Sequence, residues 1–164
     1  MSGGCVVWFT GLPSSGKSTL AGRVRERLAA AGEPVALLDS DQVREALVPS
    51  PGYDPPSRDG FYTTLGRLAV LLAGQGLIVL VPATAHRRSW RDRARASAAR
   101  FFEVYVATDA VECRRRDPKG LYRAAPDLLP GVGVTYEPPL RPEVRANGGS
   151  DDSALAAILD LIAT

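Results

Sequence analysis

A chain of 164 residues, 45% apolar and 23% charged, has the make-up of one globular domain able to bury its own core. Its formal net charge of +2 makes no electrostatic case for nucleic acid or an anionic membrane, and no apolar run approaches the length of a membrane span. The two cysteines, Cys5 and Cys113, lack metal-site spacing and read as buried thiols; with no basic-then-apolar leader at the start, the expected setting is the cytoplasm.

In chain order, Cys5-Val-Val-Trp-Phe-Thr10 is an apolar, strand-like run. Gly11-Leu-Pro-Ser-Ser-Gly-Lys-Ser18 follows it and fits the P-loop pattern: glycine, four residues, glycine, lysine, then serine or threonine. Leu20, Val24 and Leu28 then recur at helical spacing, and Gly32 stops the helix. Pro34 to Leu38 is a short apolar strand ending in Asp39-Ser-Asp41; Gln42 to Leu47 is a short helix with Asp41 as its expected N-cap. Residues 49–56, crowded with proline and glycine, are expected to be a loop.

Helical spacing resumes from Ser57 to Gly74 through Phe61, Leu65, Leu68 and Leu72. Leu77 to Val81 is a buried strand ended by Pro82, His86 to Arg100 a helix, Phe102 to Val106 a strand, and Asp109 to Arg116 a helix capped by Thr108 or Asp109. Six prolines and five glycines make 117–149 an irregular, lid-like region. Leu155, Ile158, Leu159 and Ile162 mark a closing helix with Asp151 and Asp152 in its first turn. Apolar strands alternating with helices predict an α/β fold of three layers: a mostly parallel sheet, helices on both faces, in a single domain over 1–164.

The P-loop carries the chemistry. Glycines let successive backbone N–H groups face one anion, and the helix N-terminus adds partial positive charge. Lys17 is then placed for the β- and γ-phosphates of a nucleotide, and the Ser18 hydroxyl for Mg²⁺. Open α/β sheets bind ligands at the C-terminal ends of their strands, so Asp39-Ser-Asp41 and the loop from Pro82 should converge on the phosphate site. One carboxylate can hold the metal through water and the other can accept the proton of an attacking hydroxyl, or Asp41 can simply cap a helix. The chain has only two lysines, and the one outside the P-loop is Lys119. Asp117-Pro-Lys-Gly120 resembles a GTPase motif but follows the wrong strand and lacks a guanine-recognition partner, which excludes a GTPase. A nucleotide-binding regulatory module is a reading of another class, opposed by the joint presence of Lys17, Ser18 and Asp41.

These residues resemble the adenylylsulfate (APS) kinases. The matching blocks are Trp8 to Thr19, Leu38 to Arg44, Gly76 to Val79, Arg91 to Arg95, Phe102 to Val106, Asp117 to Tyr122 and Tyr136 to Pro139, in the family's order. The resemblance implies transfer of the ATP γ-phosphate to the 3′-hydroxyl of adenylylsulfate, with ATP and Mg²⁺ required and a homodimer common. By position it implies that Gly11, Leu12, Pro13, Ser14, Ser15, Gly16, Lys17, Ser18 and Thr19 bind the ATP phosphates, with Ser18 also on the metal and Arg116 near the ATP base. Asp41 takes the catalytic position beside Lys17, while Asp39, Arg44, Arg58, Phe61, Lys119 and Leu121 fall on the acceptor side.

The acceptor half departs from the family's pattern. An asparagine is replaced by Phe61, paired arginines by Thr63 and Thr64, and a phenylalanine-bearing lid stretch by the shorter Pro130-Gly-Val-Gly-Val134. Lost donors cost a polar site about 1–3 kcal/mol each, so a different small hydroxyl or amide acceptor is the alternative. His86, the sole histidine, is read either as a neutral capping or surface residue or as a contact to an anionic acceptor.

Overall fold

The computed structural model describes residues 3–164. Strand β1, Cys5–Thr10, is buried at all six positions and forms the middle of the sheet. Strands β2 (Val35–Leu37), β3 (Ile78–Pro82), β4 (Phe101–Val106) and β5 (Val144–Ala146) complete it in the order β2-β3-β1-β4-β5, every pairing parallel. A sheet covered on both faces needs apolar residues at odd and even positions alike, which β1 supplies. Cys5, Val7 and Phe9 pack with Leu20, Val24 and Leu28 of α1 (Lys17–Ala30) and Ile158 and Ile162 of α7 (Asp152–Ala163). Val6 and Trp8 face the other way, onto Phe61, Leu65 and Ala69 of α3 (Pro55–Gly74) and Trp90 and Ala94 of α4 (Arg88–Ser97). Fully burying a side chain such as Leu20 or Ile158 contributes about 1.5–3 kcal/mol. The expected three-layer α/β architecture is the one observed.

Several boundaries differ from the sequence expectations. Helix α2 spans Ser40–Ala46, and its N-cap is Asp39, whose Oδ1 accepts from Asp41 N at 3.0 Å. Asp41 therefore lies in the first turn with its carboxylate free of capping. Pro55 and Pro56, expected in a loop, open α3, because the first turn of a helix has no use for their missing N–H groups; Asp54 caps it by accepting from Ser57 N at 3.1 Å. Helix α4 begins only at Arg88, whose N–H donates to Glu137 Oε1 at 2.8 Å. Asp109, not Thr108, caps α5 (Ala110–Arg116), while the Thr108 hydroxyl donates to Ser15 O at 2.6 Å. Asp151 is the N-cap of α7 rather than a first-turn residue. The largest departure is β5, a three-residue strand inside the region expected to be wholly irregular, too short for alternation to announce it. The same region also holds α6 (Leu121–Ala124) and a 3₁₀ turn at Pro126–Leu128. Among the described residues no helix is long and apolar enough to cross a membrane.

Candidate active site

The loop between β1 and α1 turns at Gly16, whose φ of 102° and near contact leave no room for a side chain; a Cβ there would lie 2.6 Å from Gly149 N. The turn delivers Lys17 and Ser18 to the first turn of α1. Lys17 Nζ donates to Gly11 O at 3.2 Å and Leu12 O at 2.9 Å, folding back over the loop. Burial pushes its pKa down to about 8; the neighbouring Lys119 adds to this while Cys113, Asp41 and Asp39 oppose it. Among the described residues Ser15 Oγ is buried with no hydrogen-bond partner.

The C-terminal end of β2 brings the two aspartates opposite the P-loop. Ser18 Oγ donates to Asp39 Oδ2 at 2.6 Å, so a hydroxyl and a carboxylate meet at one point. That oxygen-only pair, beside a glycine-lined cradle, fits Mg²⁺, which takes oxygen ligands and keeps several waters. Lys119 Nζ donates to Asp41 Oδ2 from the segment after α5.

One cavity of about 790 Å³ runs from this corner. Pro13, Ser14, Gly16, Lys17, Ser18 and Thr19 line one end together with Arg116. Asp39, Asp41 and Lys119 lie on its wall, and Arg44, Tyr53, Arg58, Tyr62 and His86 line its other part with Leu121 and Leu128. Arg44 is held rigidly: its guanidinium stacks on Tyr53 at 4.4 Å and Phe61 at 4.0 Å, and its Nη1 donates to Pro51 O and Gly52 O. Arg58 Nη2 donates to Leu128 O at 2.5 Å, tying α3 to the lid-like segment. Tyr122 adds a second tie, its hydroxyl donating to Pro13 O at 2.8 Å.

Of the residues singled out in the sequence, Gly11, Leu12 and Ser15 shape the P-loop without lining the cavity, and Phe61 is buried beneath Arg44. Phe61 is thus a support for a cavity-lining arginine, because an apolar ring on the inner face of α3 joins the core. Thr63 and Thr64 also lie off the cavity: their hydroxyls donate to the Asp59 and Gly60 carbonyls one turn back. The expected loss of polar contacts at these positions is therefore not a loss at the cavity wall. Sequence reasoning passed over Tyr62, and also a second cavity of about 400 Å³ lined by Gly16, Thr19 and Arg116 with Asn147 to Asp151. The Gly148-Gly149 pair ahead of an acidic cap was the signal for that loop.

The family model for adenylylsulphate kinase matches residues 3–147. The chain is 40% identical over 166 residues to the adenylyl-sulfate kinase of Citrobacter koseri, covering 97% of this chain and 83% of that one. It is 38% identical over 163 residues to the adenylyl-sulfate kinase of a Synechococcus strain, covering 97% and 92%. The Mycobacterium tuberculosis APS kinase, solved in complex with AMPPNP and APS, superposes with a TM-score of 0.91 at 35% identity, each chain covered in full. With a P-loop, two strand-end aspartates and a cation-lined cavity already in hand, these matches over nearly the whole length mean that the chain belongs to the adenylylsulphate kinase family.

Proposed function

We propose that this protein transfers the γ-phosphate of ATP to the 3′-hydroxyl of adenylylsulfate, giving ADP and 3′-phosphoadenylylsulfate. The observation that carries the reading is the single cavity that joins the P-loop to Asp41 and to two arginines, Arg44 and Arg58. A phosphoryl acceptor that is itself an anion needs cations beyond those that hold ATP, and the cavity has them.

In this reading the P-loop N–H groups and the Lys17 ammonium hold the β- and γ-phosphates, and the loop of Asn147 to Asp151 with Arg116 receives the nucleoside end. Ser18, with Asp39 behind it, holds Mg²⁺, which neutralises charge on the phosphates when bound. Arg44 and Arg58 orient the acceptor, with Tyr53 and Tyr62 beside them. Asp41 receives the proton as the 3′-oxygen bonds to the γ-phosphorus; the bond to the bridging oxygen breaks and ADP leaves with its electron pair. Lys119 and Leu121 close over this point from the lid-like segment. The reading places the protein in the cytoplasm, supported by two buried cysteines that are both free, and includes a homodimer, which sedimentation would test.

Purified protein with ATP, Mg²⁺ and adenylylsulfate should form ADP and the 3′-phosphorylated product in equal amounts. ATP binding without turnover of adenylylsulfate would sink the proposal.

A further inference from the structure

His86 is the only histidine in the chain and the functional reading above leaves it unused. It is 5% exposed and lines the cavity beside Arg58 and Tyr62. The backbone that carries it is fixed on several sides. Thr10 Oγ1 donates to Thr84 O at 2.7 Å, Arg91 Nη1 donates to Ala85 O, and Glu137 N donates to His86 O at 2.8 Å. Ala85 holds a φ of 41°, a conformation that side-chain-bearing residues rarely adopt and that persists only where the surroundings enforce it. The ring itself stands edge-on to Trp90 at 4.8 Å between centroids. A strained, cross-braced loop is thus holding one polar ring at the cavity wall.

Its protonation state follows from its neighbours. Burial first, then the charges of Arg58 and Arg87, push its pKa down to about 4, so the ring is neutral near pH 7. A neutral imidazole carries one proton on one of two nitrogens. Nδ1 is sealed from solvent with no partner. An orphaned buried N–H is costlier than an orphaned lone pair, which puts the proton on Nε2.

We propose that His86 is a specificity-determining residue for the acceptor, its neutral Nε2–H donating a hydrogen bond to an oxygen or ring nitrogen of adenylylsulfate. The proposal rests on the adenylylsulfate reading given above. Among arginines a neutral donor has a distinct use: it adds direction without adding another charge that any anion would satisfy.

The test compares His86→Gln, which keeps an N–H close to the Nε2 position, with His86→Phe, which fills the same space without a donor. Initial rates of the full chain are measured with ATP and with adenylylsulfate varied in turn, alongside thermal melting. His86→Phe should raise KM for adenylylsulfate about tenfold with KM for ATP and the melting midpoint unchanged, and His86→Gln should stay within about threefold of wild type. An unchanged acceptor KM in His86→Phe overturns the proposal, as does equal impairment in the two variants. A parallel rise in both KM values with a lowered midpoint overturns it too, because that marks a packing role. Wild-type protein that never turns over adenylylsulfate fails the functional reading itself, a result distinct from any of these.

Discussion

Lys119, from the segment after α5, donates a hydrogen bond to Asp41 Oδ2 in the first turn of α2. Both side chains are more than half exposed, at 58% and 54%, so the pair is worth no more than about 1 kcal/mol and opens readily. The contact nonetheless brings the one lysine outside the P-loop to the one strand-end carboxylate that caps nothing. In the proposed reading, an anionic acceptor would give Lys119 a stronger partner and release Asp41 to take a proton.

Asp41→Asn keeps the shape of that corner and an oxygen for Lys119, but removes the negative charge and the carboxylate proposed to take the proton. The chemical step should slow roughly 10²–10⁴-fold while ATP affinity changes only a few-fold. Single-turnover rates set against nucleotide titration separate the two effects. Equal loss of both would make Asp41 a structural residue.

Lys17 gives the site a pH dependence. Its pKa is depressed to about 8, so the charge proposed to attract the phosphates is present below pH 8 and lost as pH rises through it. kcat/KM for ATP should therefore fall above pH 8, approaching tenfold per pH unit. Once bound, the phosphates hold the ammonium proton, so kcat should stay flatter over the same range. A pH profile from 6.5 to 9.5 checks both limbs, and Lys17→Ala should abolish transfer at every pH.

Arg91 is 1% exposed and pairs through Nε with Glu103 Oε2 at 2.7 Å, while its Nη2 donates to Glu137 O at 2.7 Å. Arg91→Leu leaves Glu103, 5% exposed, with only the longer 3.7 Å contact to Arg95. The expected cost is about 3–5 kcal/mol, or roughly 10 °C in melting temperature for a domain of this size. Adding Glu103→Leu should recover much of it, because the uncompensated buried charge is then gone.

Acid stability should depend on two half-buried carboxylates. Asp151 accepts from Asn147 N and Ala154 N, and Glu112 is clasped by Arg115 and Arg116; their pKa values fall from 3.8 and 4.5 to about 2. A depressed carboxylate pKa means stability that is present above the ordinary value and lost as pH falls through the folded one. Denaturant midpoints should thus drop between pH 5 and 2, and Asp151→Ala should make that drop shallower while weakening ATP binding through the Asn147 loop. An unchanged acid limb in the variant would mean that Asp151 contributes nothing there.

Much of this protein was legible without coordinates because its signals are local. The Gly11 to Ser18 spacing, the unbroken apolar run of β1 and the carboxylates following β2 each act through neighbours in sequence, where backbone geometry and periodicity decide. What the chain order could not specify was which side chains share a wall. Phe61 and Tyr62 are adjacent, yet one supports Arg44 from the core and the other lines the cavity, a difference set by the rotation of α3 against the sheet. Strand β5 is three residues long and exists only because β4 offers it an edge to pair with. His86 became a site residue through Arg91, Glu137 and Trp90, which lie 4 to 51 positions away in the chain and meet only on folding. Local chemistry determined that a nucleotide phosphate would be held here; long-range packing decided what stands across the cavity from it.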